Sequence, residues 1–244
     1  MLGPLAISGD GDSIAPRDRV VLAALTVPGG EVVGAAVLAD ALWREHPPAT
    51  WSKQIQASVV RLRRALGAGA IETEGDGYRL VVASDEIDAH RFERLVISAR
   101  ELDTLGASDR AAHQLGEALA LWRGAPFTEL DGWAPGQIEA ARLDELRLEA
   151  EEARLDAALR AGMHRRVLAE ARARGAEQPL REHRWALLAL AQYQSGQQAD
   201  ALRTIRDARR KLSEELGLDP GPTLVSLEAA ILQQDPSLAA ATVV

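Results

Sequence analysis

The stretch Trp51 to Leu66, WSKQIQASVVRLRRAL, decides how this chain is read. At about 100° per residue, Ile55, Val59, Leu62 and Leu66 fall on one narrow stripe. Lys53, Ala57, Val60, Arg61 and Arg64 fall on the opposite face, with Arg63 on its flank. An aliphatic edge backed by a basic, partly small-residue face predicts an amphipathic helix that buries one side and offers cations on the other. Pro47-Pro48 ends the segment before it, Thr50 or Ser52 is placed to cap it, and Gly67-Ala68-Gly69 breaks it.

Working outward, two further helices are expected upstream. One runs from about Arg17 to Val27, with Val20, Val21, Ala24 and Leu25 at helical spacing, and Pro28-Gly29-Gly30 stops it. The other covers about Ala35 to Arg44, after a brief Glu31-Val32-Val33. The first 15 residues read as short strands, with Leu2, Leu5 and Ile7 apolar and a turn at Gly9-Asp10-Gly11-Asp12. Downstream, Ile71 to Val82 reads as two short strands around Gly75-Asp76-Gly77, a hairpin. Strands, three helices and a terminal hairpin in the first 85 or so residues describe a winged helix-turn-helix.

From about Asp88 to Gln234 the sequence is helix after helix, with breaks near Ala107, Gly124 to Gly136, Gly162, Pro179, Gly196 and Gly217 to Pro222. A repeat runs through it. Trp185, Leu188, Ala189, Ala201, Ile205 and Ala208 sit at the spacings of a 34-residue tetratricopeptide repeat. Leu155, Val167 and Ala171 answer them one period earlier, and Ala111, Leu115 and Ala118 form a third echo. The expected fold is therefore mainly α: an N-terminal winged helix over residues 1–84, a linker at Ala83 to Glu86, and an all-α tetratricopeptide-like domain over residues 88–237.

Composition narrows the function. The 244 residues are 47% hydrophobic and 26% charged, a globular balance. No apolar run reaches the roughly 18 residues of a membrane span, the first 15 residues do not have the make-up of a signal peptide, and there is no cysteine for disulfides or thiolate metal sites. A cytoplasmic location without membrane contact follows as the expectation. The net charge of −8 runs against a generic nucleic-acid binder. Residues 1–87 alone hold 8 basic and 11 acidic side chains, so any DNA contact must come from a local patch.

The order and spacing of several strings resemble the Streptomyces antibiotic regulatory protein family, which joins an OmpR-like winged helix to a bacterial transcriptional activation domain. They are Arg61-Leu62-Arg63-Arg64-Ala65-Leu66, Gly77-Tyr78-Arg79-Leu80, Ile87 to Phe92, Ala118 to Gly124, Ala141 to Arg147, Pro179 to Glu182 and Glu215 to Pro222. The resemblance implies an activator that binds promoter direct repeats in double-stranded DNA as a homodimer and recruits RNA polymerase. It also implies that Arg61 and Arg63 occupy DNA-contacting positions. Arginine suits that task because its planar fork bonds a guanine edge or a phosphate bidentately. Lys53 and Arg64 are better placed for phosphates, Ala57 and Val60 for a thymine methyl, and Ser58 completes the candidate set.

The wing is expected to add little. Glu72-Thr73-Glu74-Gly75-Asp76 carries three carboxylates that repel phosphates. Arg79 is as suited to pairing with one of those acids as to touching DNA, and Tyr78 reads as packing. Trp185 reads as core. Trp133, in a Gly- and Pro-rich break, suits packing better than an exposed contact. Acidic runs such as Glu149-Ala150-Glu151-Glu152 read as solvated helix faces.

No catalytic, cofactor or metal site is expected. The five histidines are scattered, no Walker loop or G-x-G-x-x-G occurs, and no receiver domain precedes the winged helix. Two other readings stay open. One is a protein-interaction scaffold with weak DNA binding. The other is the N-terminal part of a larger regulator containing an ATPase.

Overall fold

The structure, a computed structural model, describes residues 1–7, 14–175 and 178–238. The turn expected at Gly9 to Asp12 lies outside them. Among the described residues, α1 (Pro16–Thr26), α2 (Ala35–Trp43) and α3 (Trp51–Leu66) precede a small sheet whose strands are β1 (Val33–Gly34), β2 (Ile71–Glu74) and β3 (Gly77–Leu80). Then come α4 (Asp88–Thr104), α5 (Ser108–Leu119), a 3-10 turn at Thr128–Leu130, α6 (Ala134–Arg160), α7 (His164–Gly175), α8 (Glu182–Gln194), α9 (Gln198–Leu216) and α10 (Pro222–Gln233). The chain is mainly helical, with a winged helix-turn-helix at its start, as the periodicities require.

Two compact units form. The first comprises residues 1–95 and 117–148; the second comprises residues 96–116 and 149–244. Helices α4, α5 and α6 each contribute to both.

In the first unit Pro16 opens α1, where its missing N–H costs nothing. α1 packs on α2 and α3, and Val21, Leu22 and Leu25 of α1, Leu38 of α2 and Ile55, Val59 and Leu62 of α3 are all 5% exposed or less. β3 is the central strand of the sheet, antiparallel to both neighbours, with Val33 opposite Tyr78 and Ile71 opposite Leu80. Tyr78 is buried there, as expected for packing. Gly77 allows the close approach of β1. A Cβ on it would stand 2.7 Å from the Val33 carbonyl oxygen and 2.7 Å from a Val32 methyl. Gly77→Ala should therefore pry β1 from β3 and cost about 1–3 kcal/mol as overpacking, read as a lower urea midpoint.

Residues 1–7 are not strands, and the expectation for this segment is corrected. Leu2 and Leu5 are buried, but their backbone makes no ladder. Instead Arg123 N–H donates to the Leu2 carbonyl at 2.7 Å, Phe127 N–H donates to the Met1 carbonyl at 3.0 Å, and Leu5 N–H donates to Glu129 Oε1 at 2.6 Å. A loop that satisfies these groups removes the need for a pairing strand. Trp133, in the same loop region, is 4% exposed and donates its indole N–H to Asp40 Oδ2 of α2 at 3.0 Å, so it packs. Nearby, Trp122 meets Phe92 edge-on at 5.4 Å and carries the Arg147 guanidinium 4.9 Å above its ring.

The second unit has two buried clusters. Leu155, Leu159, Val167 and Ala171 join Ala111 and Leu187 in one; Ala189, Ala201, Ile205, Ala208, Leu224 and Ile231 form the other. The small residues of the repeat lie where α8 and α9 pack against each other, which suits close helix approach. Trp185 is half-buried at that cluster and donates to the Pro179 carbonyl at 2.8 Å. The run Glu149 to Glu152 is not a solvated face throughout. Glu151 and Glu152 are 4% and 8% exposed. Arg184 bonds Glu151 at 3.0 Å and Glu152 at 3.2 Å, and Arg181 grips Glu152 at 2.6 Å. Partners brought in by α8 and the turn before it turn an acidic run into a buried ion cluster.

Candidate DNA interface

α3 spans the expected residues. Thr50 stands at its N-cap, but its hydroxyl accepts from the Gln54 side chain at 3.0 Å instead of capping a backbone N–H. The helix buries Ile55, Ser58, Val59 and Leu62 and exposes Lys53, Ala57, Val60 and Arg64 in a single column at i, i+4, i+7 and i+11. Val60 is 45% exposed. The column has a cation at each end and two small apolar side chains between them. Among the described residues no hydrogen bond or ion pair engages Lys53 or Arg64. That leaves both free for an anion.

Ser58 does not belong to this column. It lies at the edge of the aliphatic stripe and is 3% exposed, so its place on the contacting face is corrected. Its hydroxyl oxygen accepts from Arg61 Nη2 at 3.0 Å. Arg61 reaches back across the α1–α3 seam to Asp18, in the first turn of α1, with Nε to Oδ2 at 2.7 Å and Nη2 to Oδ1 at 2.7 Å. The Asp18 side chain is 3% exposed and that of Arg61 is 50% exposed. Burial works to raise the Asp18 carboxyl, but hydrogen bonds from Arg61 and Ser58 and the Arg61 charge outweigh it and hold it below its ordinary value. The same carboxylate raises the Arg61 guanidinium above its own ordinary value.

Arg63 turns the other way. Its Nε donates to the Ile71 carbonyl at 2.8 Å and its Nη2 to Thr73 Oγ1 at 2.8 Å, fastening α3 to β2. In the wing, Arg79 pairs with Glu72 at 2.8 Å across the strands and with Glu74 at 3.4 Å, so it serves the acids beside it. One cation beside α3 is missed by the helical wheel. Arg17, exposed at the start of α1, donates to Gln54 of α3 at 3.1 Å. The wheel of a single helix cannot reveal a neighbour's side chain.

The arrangement offers a groove-sized helix with an open cation–apolar–cation column, a guanidinium clamped at its flank, and an acidic wing. Among the described residues no group of three His, Cys, Asp or Glu is placed to hold a metal ion. Nor is any described helix long and apolar enough to cross a membrane.

Comparison with known proteins places this geometry in a class. A family model described as the bacterial transcriptional activator domain matches residues 87–232. The regulatory protein AfsR of Streptomyces coelicolor is 39% identical over 98% of the chain, which spans 24% of AfsR. The regulatory protein DnrI of Streptomyces peucetius is 34% identical over 98% of the chain and is covered over 93% of its own length. A solved structure of Mycobacterium tuberculosis EmbR in complex with a low affinity phosphopeptide superposes with a TM-score of 0.82 at 34% identity, over 91% of the chain and 60% of that one. The chain belongs to the Streptomyces antibiotic regulatory protein family of transcriptional regulators.

Proposed function

We propose that the chain is a sequence-specific double-stranded DNA-binding regulator, an activator that binds promoter direct repeats as a homodimer in the cytoplasm and recruits RNA polymerase. Residues 1–84 are the DNA-binding domain and residues 88–237 the activation domain in this reading. The observation that carries it is the exposed Lys53–Ala57–Val60–Arg64 column on the third helix of a winged helix. A helix fits the major groove, cations at its ends meet phosphates, and small apolar side chains meet thymine methyls. Arg63 takes a lesser part than the resemblance implies, because it fastens α3 to β2, and Arg61 offers DNA only the donors that Asp18 and Ser58 leave. Family membership supports the activator role and the partners.

A second reading, a protein-interaction scaffold with weak DNA affinity, draws on the net charge of −8 and on an acidic wing whose arginine is already paired. A mobility-shift assay on DNA from the protein's own promoter region, across a range of salt concentrations, separates the two. The regulator shows affinity that falls steeply with salt and resists competition by unrelated DNA. A chain that binds no duplex, or binds all equally, is the scaffold.

A further inference from the structure

We infer that Asp18, a buried residue off the recognition helix, sets DNA specificity by clamping Arg61 and cancelling its charge. The inference rests on the DNA-binding reading above. A guanidinium has five N–H donors. Asp18 takes one from Nε and one from Nη2, and Ser58 takes the other from Nη2. What remains toward solvent is the Nη1 edge of a side chain that is half exposed.

Two consequences follow. First, the side chain is fixed. An unclamped arginine sweeps a wide arc and grips whichever phosphate or base edge is nearest, whereas this one presents its two Nη1 donors from a held position. Second, the carboxylate lies within hydrogen-bond distance of the guanidinium, so the pair has no net charge. A phosphate arriving at Arg61 meets Asp18 behind it, and the Coulomb attraction that makes arginine a general DNA anchor is largely cancelled. The Nη1 hydrogen bonds survive that cancellation, and they depend on an acceptor being at the right place. Sequence-independent attraction is thus left to Lys53 and Arg64, which no described residue neutralises, and Arg61 is reserved for readout. Ser58 completes the clamp by holding the second Nη2 proton, which explains a buried serine in an otherwise aliphatic stripe.

The test uses the full chain, a duplex enriched by the wild type from a random-sequence pool, and a scrambled duplex of equal length. Asp18→Asn keeps the shape and removes the charge. It should raise affinity for the scrambled duplex, steepen the salt slope by about 0.9 for the one phosphate contact that Arg61 becomes free to make, and lower the ratio of specific to scrambled binding about tenfold. In an Arg61→Ala background the same change should leave ratio and slope unmoved, because Asp18 acts only through Arg61. Ser58→Ala, which keeps both charges, guards against misfolding of Asp18→Asn. It should lower the ratio by a smaller factor with the slope unchanged. Equal effects of Asp18→Asn with and without Arg61, or no effect in either, overturn the inference while the DNA-binding reading stands. If the wild type enriches no duplex at all, that reading fails and the inference goes with it.

Discussion

Arg184→Ala should lower the free energy of unfolding by about 3–5 kcal/mol, because it takes the most deeply buried cation away from two buried carboxylates. Glu151 and Glu152 accept from it at 3.0 and 3.2 Å, and all three side chains are 10% exposed or less. Arg181 stays to hold Glu152. In a chain of this size the loss corresponds to a fall in melting temperature of roughly 10 °C. Urea denaturation followed by circular dichroism measures it. A change below about 1 kcal/mol would mean that the cluster is wetter than its exposure indicates. Replacement of Arg181, Arg184, Glu151 and Glu152 together by apolar residues of similar volume should recover much of the loss, since the penalty comes from unbalanced buried charge and not from the missing attraction.

The double variant Lys53→Ala/Arg64→Ala should have the largest effect on DNA binding. Each cation that contacts a phosphate contributes about 0.9 to the slope of log affinity against log salt, so removing two flattens the slope by about 1.8. Referred to 1 M salt, that is a loss of about 60-fold at 0.1 M. The loss should be the same on enriched and scrambled duplexes, because these side chains meet the backbone. Filter binding at five or six salt concentrations gives both quantities. An unchanged slope would remove the exposed column from the contact and with it the main support for the regulator reading.

How far the chain could be read in advance depended on whether the deciding partner lay nearby in sequence. The bounds of α3 were plain because sixteen residues carry an unbroken helical period between a double proline and a glycine pair. The hairpin was plain from Gly75-Asp76-Gly77 and the strand patterns on either side. The identity of the clamped arginine was not, since Asp18 lies 43 residues from Arg61 and belongs to a different helix. For the same reason Glu151 and Glu152 looked like surface, because their arginines arrive some thirty residues later. Ser58 stands at the margin of the buried stripe on the wheel, and its burial follows from that angle. At the N-terminus, apolar residues suggested pleating, but the groups that satisfy the backbone are contributed from residues 123 to 129.

The loop that holds Trp133 has a bearing on how the protein is dissected. The 3-10 turn at Thr128–Leu130 packs on α1, Trp133 bonds Asp40 of α2, and the Asp131 carbonyl accepts from Arg44 at 2.5 Å. A fragment stopping at residue 84 would carry α3 but lose the turn that packs on α1 and the partners of the Met1, Leu2 and Leu5 backbone groups. A fragment made to test the proposed DNA binding should therefore extend through the first half of α6.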